Sequence, residues 1–248
     1  MKYLYLIIIL VLTLVYSMIY TIYETFESDS VDFYVISMKN KQERIDNINE
    51  QQAKIPNLKL QVIDAVNGNS MSDQEFRQLY DRGIISKEKY DYAIDTKHGK
   101  GEIGCYLSHI KIYDMIKNSS SKYSVIFEDD FGIKDEFEKQ FSDILDKVEH
   151  IDFDFIYLTN LNNNKGEHIR DNIYYMDKKN ELWGTQAYLI NNSHIDKIIE
   201  NTKYIDRPID NKIADLCRDN IFQILVINPV IVEHKPSNGT TLQGFVVK

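Results

Sequence analysis

The stretch VIFEDDF, residues 125–131, runs three apolar residues into three adjacent carboxylates, Glu128, Asp129 and Asp130, and closes on an aromatic. Carboxylates this close repel, which raises their pKa values unless something positive lies among them. Two arrangements relieve the repulsion: the acids are splayed into solvent on a turn, or they hold a cation. As ligands they offer hard oxygens, suited to Mg2+ or Mn2+ rather than zinc, and such ions keep positions open for substrate phosphates. Competing chemistries are missing. There is no G-x-x-x-x-G-K-[ST], no G-x-G-x-x-G behind the first strand, no G-x-S-x-G and no H-E-x-x-H. GKGEIG (99–104) reads as a flexible loop entering a helix, or as a helix N-terminus that brings Glu102 near a substrate. His109, one turn into that helix, reads as a structural hydrogen bonder.

The elements around the acids decide between turn and site. VDFYVISM (31–38), LKLQVIDAV (58–66), KYSVIF (122–127), FDFIYL (153–158), WGTQAYLI (183–190) and IFQILVI (221–227) are short apolar runs rich in β-branched and aromatic residues, and read as strands. Helical patterns lie between them. One carries Ile45 and Ile48 ahead of Pro56, and another is MSDQEFRQLYDRG (71–83) after the Asn67-Gly68 turn. A third is 98–118, with Ile103, Leu107, Ile110 and Met115 on its expected inner face. Residues 135–150 and 193–201 supply two more, and 160–172 reads as a polar loop with no packing signal. Strands alternating with helices predict an α/β fold with a largely parallel sheet, in which ligands sit beyond the carboxyl ends of the strands. The acidic triplet stands at such an end, which favours the site over the turn.

The first residues lie outside this pattern. Residues 3–23 carry no charge, and about 20 such residues span a bilayer's hydrocarbon. The run is longer than the usual apolar region of a cleaved signal, so it reads as a retained signal-anchor transmembrane helix (1–23), with an acidic stem (24–31) and an exported domain (32–248). Lys2 before the span, with Glu24, Glu27 and Asp29 behind it, sets a type II orientation with the domain lumenal or exported. The roughly 220 residues that remain make one domain. A net charge of −9 argues against a nucleic-acid partner. Cys105 and Cys217 are either two buried thiols or one disulfide. Asn118, Asn191 and Asn238 stand in glycosylation sequons, which count only in a eukaryotic lumen.

Four blocks in order, FYVISMKNKQERIDNI (33–48), DAVNG (64–68), GEIGCYLSHIKIYDMI (101–116) and VIFEDDF (125–131), give the chain a resemblance to glycosyltransferase family 25. This family includes lipooligosaccharide and procollagen galactosyltransferases. WGTQAYLINNSHIDKII (183–199), RPIDNKI (207–213) and NPVIVEH (228–234) resemble it more loosely, and Ile36-Ser37 stands where the family usually has Asn-Leu. The resemblance implies a GT-A-like fold, a Rossmann-like sheet flanked by helices. It implies a metal-dependent inverting hexosyltransferase, moving galactose or glucose from a UDP-sugar to a hydroxyl of a glycan, lipopolysaccharide or protein acceptor. By position, Asp129 and Asp130 would bind Mn2+ (or Mg2+), with Glu128 beside them and His234 as a further ligand. Asp210 would be the base, or else a helix N-cap. Arg44 and Trp183 would lie at the nucleotide-sugar, or else be a surface arginine and a core aromatic. Two other readings keep the same residues: a catalytically inactive relative that binds glycan or a partner, and a tethered Ca2+-binding domain.

Overall fold

The computed structural model describes residues 9–17 and 31–235. Strand β1 (Val31–Ser37) alternates between two cores, sending Phe33 and Val35 to one and Tyr34 and Ile36 to the other. Helix α1 (Gln42–Lys54) buries Ile48 and ends before Pro56, and β2 (Leu60–Asp64) returns parallel to β1. Asn67-Gly68 opens a 3-10 turn rather than a hairpin, as expected of a strand-to-helix turn. Ser72 and Glu75 then form a capping box that starts α2 (Asp73–Asp81). Helices α3 (Lys87–Asp95) and α4 (Lys97–Ile116) lead to β3 (Tyr123–Glu128), and β4 (Phe131–Ile133) follows the acids. The remainder is α5 (Phe137–Val148), β5 (Phe155–Tyr157), β6 (His168–Arg170), β7 (Ile173–Tyr175), β8 (Ala187–Asn191), α6 (Ile195–Thr202), α7 (Ile209–Arg218), β9 (Ile224–Ile227) and β10 (Val232–His234).

The main sheet has the order β2-β1-β3-β8-β5-β9-β7-β6, and β4 pairs separately with β10. Six of its eight strands run one way, with β8 and β7 reversed. The sheet is therefore mostly parallel in direction but mixed in pairing. The β1–β2, β1–β3 and β5–β9 pairs are parallel, and the four that involve β8 or β7 are antiparallel. Helices cover both faces. Phe76, Ala93, Ile103, Ile198 and Ile213 bring α2, α3, α4, α6 and α7 onto one, and Ile48, Phe141 and Ile144 bring α1 and α5 onto the other.

Three expectations change. GKGEIG is not a loop: its glycines lie within α4, where they allow close backbone approach. A Cβ on Gly104 would sit 2.5 Å from the Gly68 nitrogen and 2.6 Å from the Val66 carbonyl oxygen, and one on Gly99 would sit 2.5 Å from the Tyr92 carbonyl oxygen. The inner face of α4 keeps Ile103 but is otherwise Tyr106, His109, Ile112, Tyr113 and Ile116, with Leu107, Ile110 and Met115 only partly buried. Its phase is set by aromatic and polar residues that hydrogen-bond within the core. The strand expected from Trp183 begins only at Ala187.

Loop 160–172 is packed after all. Asn164, 2 % exposed, donates its amide to the carbonyls of Asp177 (3.1 Å), Asn180 (3.2 Å) and Glu181 (2.9 Å). Both cysteines are free thiols. Of the apolar run 3–23, the structure describes 9–17 only, a helical stretch with exposed Leu10 and Leu12. Among the described residues no helix is long and apolar enough to cross a membrane. The rest of that run, the stem up to residue 30 and the tail 236–248 with Asn238 lie outside the described residues.

Candidate active site

The chain order of the sheet reverses between β1 and β3: β1 leads out to β2 on one side, and β3 lies on the other. Open α/β sheets bind ligands in the crevice at the carboxyl ends there. Strand β3 and the helix that follows β1 deliver charged side chains to it. Strand alternation sends Glu128 to the face covered by α4 and the next residue, Asp129, to the face covered by α1. From α1, Arg44 pairs with Asp129 Oδ1. Asn47 Nδ2 donates to the carbonyls of Asp129 and Phe131, both at 3.0 Å, so the acidic turn is clamped rather than splayed.

The β4–β10 pair sets His234 opposite Phe131 and brings its Nε2 to 3.1 Å from Asp130 Oδ2. The Lys235 N–H donates to the Asp130 carbonyl at 2.7 Å. On the other face, Glu128 Oε1 accepts from the Thr185 hydroxyl and lies 3.5 Å from His109 Nε2. His109 is fully buried. Its Nδ1 is 2.7 Å from the Tyr188 hydroxyl, which is 3.0 Å from that of Tyr113. Asp210, in the first turn of α7, accepts from the Asn211 N–H (2.8 Å) through Oδ1 and from the Gly184 N–H (3.0 Å) through Oδ2. Its helix-start role and its approach to the site thus use different oxygens.

The electrostatics follow from burial and crowding. Burial pushes the Asp130 carboxyl up, and the charges of Glu128 and Asp129 add to that against the relief from His234. Burial also raises Asp210, and although backbone N–H groups oppose it, the charge of Glu128 adds to the rise. Glu128 is held below its ordinary value: burial would raise it, but His109, Thr185 and the charge of His234 outweigh that. Burial lowers the Arg44 guanidinium, but its bond to Asp129 and the charges of all three acids carry it above its usual value. His234 is raised by its bond to Asp130.

Two carboxylate oxygens, Asp129 Oδ2 and Asp130 Oδ1, are buried without a hydrogen-bond partner among the described residues. Leaving such acceptors dry is costly, so they need a cation or ordered water, and hard oxygens suit Mg2+ or Mn2+. A second donor set sits one turn away. Among the described residues, Cys105, His109 and Glu128 are the three such side chains whose ligand atoms lie within 4.8 Å of one another. Burial and the surrounding carboxylates hold the Cys105 thiol well above its ordinary pKa, and Glu128 is already held by His109 and Thr185. We read this set as the buttress that orients Glu128.

The expected site residues divide. Arg44, Glu128, Asp129, Asp130, Asp210 and His234 converge. Trp183 is no core aromatic: it is 38 % exposed, and its Nε1 donates to Glu181. Glu102 is engaged elsewhere, in an ion pair with Lys89, because the helix that carries it begins five residues earlier, at Lys97. Asn47, Thr185 and the contact of His109 with Glu128 escaped the sequence reading. The i, i+4 spacing of Cys105 and His109, which puts both on one helix face, was the available signal.

A model of the family described as Glycosyltransferase family 25 (LPS biosynthesis protein) matches residues 31–213. Procollagen galactosyltransferase 1-A of Xenopus laevis is 29% identical over 133 residues, covering 51% of this chain and 21% of that protein. Inactive glycosyltransferase 25 family member 3 of Mus musculus is 32% identical over 102 residues, covering 40% of this chain and 17% of that protein. The chain thus matches about a fifth of the length of these curated relatives. The solved structure of S. aureus TarS 1-349 in complex with UDP-GlcNAc superimposes with a TM-score of 0.41 at 10% identity, covering 88% of this chain and 62% of that one.

Proposed function

The chain belongs to glycosyltransferase family 25, and from that premise we propose that it is a metal-dependent, inverting hexosyltransferase of GT-A-like fold. Its donor would be a UDP-sugar carrying galactose or glucose, and its acceptor a hydroxyl of a glycan, lipopolysaccharide or protein. The observation that carries the reading is the pair of unpartnered, buried oxygens of Asp129 and Asp130 at the carboxyl end of β3.

In this reading Asp129, Asp130 and His234 hold Mn2+ or Mg2+. When bound, the ion supplies Lewis-acid neutralisation of the charge that develops on the departing diphosphate. Arg44 orients Asp129 and adds positive charge on the same side. Asp210 takes the proton of the acceptor hydroxyl, and burial and Glu128 raise its proton affinity toward what a general base needs. Glu128, fixed by Thr185 and His109, keeps the pocket negative. The apolar run at 3–23 is proposed as a membrane anchor in type II orientation.

Several similar proteins are named as inactive, which keeps a second reading in view: a silent relative that binds glycan or a partner through the same cleft. Calorimetry on the full chain separates the two. Mn2+-dependent binding of UDP, with release of UDP from one nucleotide sugar, is expected, and the Asp129→Asn/Asp130→Asn double variant should lose both. Binding without release under any donor and acceptor would select the silent relative, and no binding of Mn2+ or UDP would remove the transferase reading.

A further inference from the structure

Trp183 is the chain's only tryptophan, and the residues on both sides of it are tied down. Asn164 fixes Glu181 through its carbonyl, and Leu182 is 1 % exposed. The next residue therefore has little freedom. Gly184, at φ +78°, then turns the chain so that its N–H meets Asp210 at 3.0 Å, and Thr185 follows with its bond to Glu128. A glycine is required there because side-chain-bearing residues avoid that φ. Trp183 is thus one residue from the group that holds Asp210.

Inverting displacement places the attacking hydroxyl and its base on one face of the sugar and the leaving group on the other. Asp129, Asp130, Arg44 and His234 gather on the leaving-group side, around the end of β3 and the β4–β10 pair. Asp210 and the Gly184 turn lie instead by Glu128, through Gly184 and Thr185, and Trp183 adjoins them in the chain. We propose that Trp183 and Glu181 form the acceptor subsite and that the acceptor is a saccharide. The indole offers a flat apolar face for the C–H face of a pyranose ring, and the Glu181 carboxylate, at its edge, accepts from ring hydroxyls. This rests on the transferase reading above, and it assigns Trp183 to the acceptor rather than to the nucleotide.

A single tryptophan makes the test direct, because its emission reports on this position alone. The full chain, in a detergent without a sugar headgroup, is titrated with UDP and Mn2+, then with methyl glycosides of galactose, glucose and N-acetylglucosamine in both anomers. A saturable emission change with at least one glycoside, and none with UDP and Mn2+ alone, is expected. In transfer assays Trp183→Ala should raise KM for that glycoside tenfold or more while KM for the UDP-sugar stays within twofold, and Trp183→Phe should recover most of the loss. Emission that responds to UDP and to no glycoside overturns the proposal and returns the ring to the donor. Silence toward both also overturns it. Calorimetric loss of UDP binding alongside an intact glycoside response would instead remove the transferase reading and keep the saccharide site.

Discussion

Asp210 is partly buried and stands in the field of Glu128, and both raise its proton affinity. A base works only when deprotonated, so transfer should rise with pH through a point above that of an ordinary aspartate. Removing the Glu128 charge lowers that point, and Glu128→Gln is therefore expected to move the acid limb of kcat/KM to lower pH. A pH–rate series on both chains checks the sign. For stability the sign runs oppositely. A carboxyl raised in the folded state stabilises below its unfolded pKa, and that stability is lost as pH climbs through the folded value. Ionised Asp210 is then a burden at neutral pH, so Asp210→Asn should cut transfer by about 10²–10⁴-fold with only a small change in Tm, relief of the charge offsetting the one backbone N–H that the amide cannot accept. Both would be read on one preparation by a transfer assay and a thermal melt. The acids were legible in the sequence because three carboxylates ending an apolar strand are conspicuous. Thr185 and Asn47 were not, since a lone Thr or Asn carries no pattern until the fold brings it within hydrogen-bonding distance.

At the scale of elements, α4 depends on its glycines more than on its apolar stripe. Alanine is the better helix former by roughly 1 kcal/mol, which by itself would make Gly104→Ala stabilising. The Cβ would instead meet backbone atoms of Val66 and Gly68 at 2.6 and 2.5 Å, and backbone cannot step aside. Overpacking of this kind costs about 1–3 kcal/mol and should win. Urea denaturation of Gly104→Ala is expected to show a lower midpoint, and a higher one would mean that the 66–68 turn yields.

This also explains what the sequence concealed. Three glycines in six residues read as a loop, because glycine's use for close approach leaves the same mark as its use for flexibility. Long apolar strands such as β1 and β3 were readable from composition. Of the three-residue strands, β5 was readable inside the longer apolar run 153–158, whereas β4, β6 and β7, with no such run around them, were not. The direction of β8, which makes the sheet mixed, depends on partners distant in sequence.

For the whole molecule, a cation on the acidic site should act as a ligand of the native state alone. At a hundredfold excess over its Kd such a ligand adds about 2.7 kcal/mol, a Tm rise of roughly 5–10 °C in a chain of this size. Mn2+ is expected to produce that shift, and Asp129→Asn/Asp130→Asn to abolish it, in a melt followed by circular dichroism. The anchor proposed at 3–23 implies a second result. The chain should stay with the membrane pellet through washes at high salt and alkaline carbonate, and leave it only with detergent.

The contacts that gather the site have one more consequence. Arg44 and Asp129 are 85 residues apart, and Asp130 and His234 are 104 apart. Closing loops of that size is slow compared with local structure, since non-local contacts must wait for the chain between them. During synthesis the acids and Arg44 emerge early, but their last partner arrives only when nearly the whole described domain has left the ribosome. A chain cut short before His234 would carry the carboxylates without the histidine that answers Asp130. Completion of the site thus waits on completion of the domain.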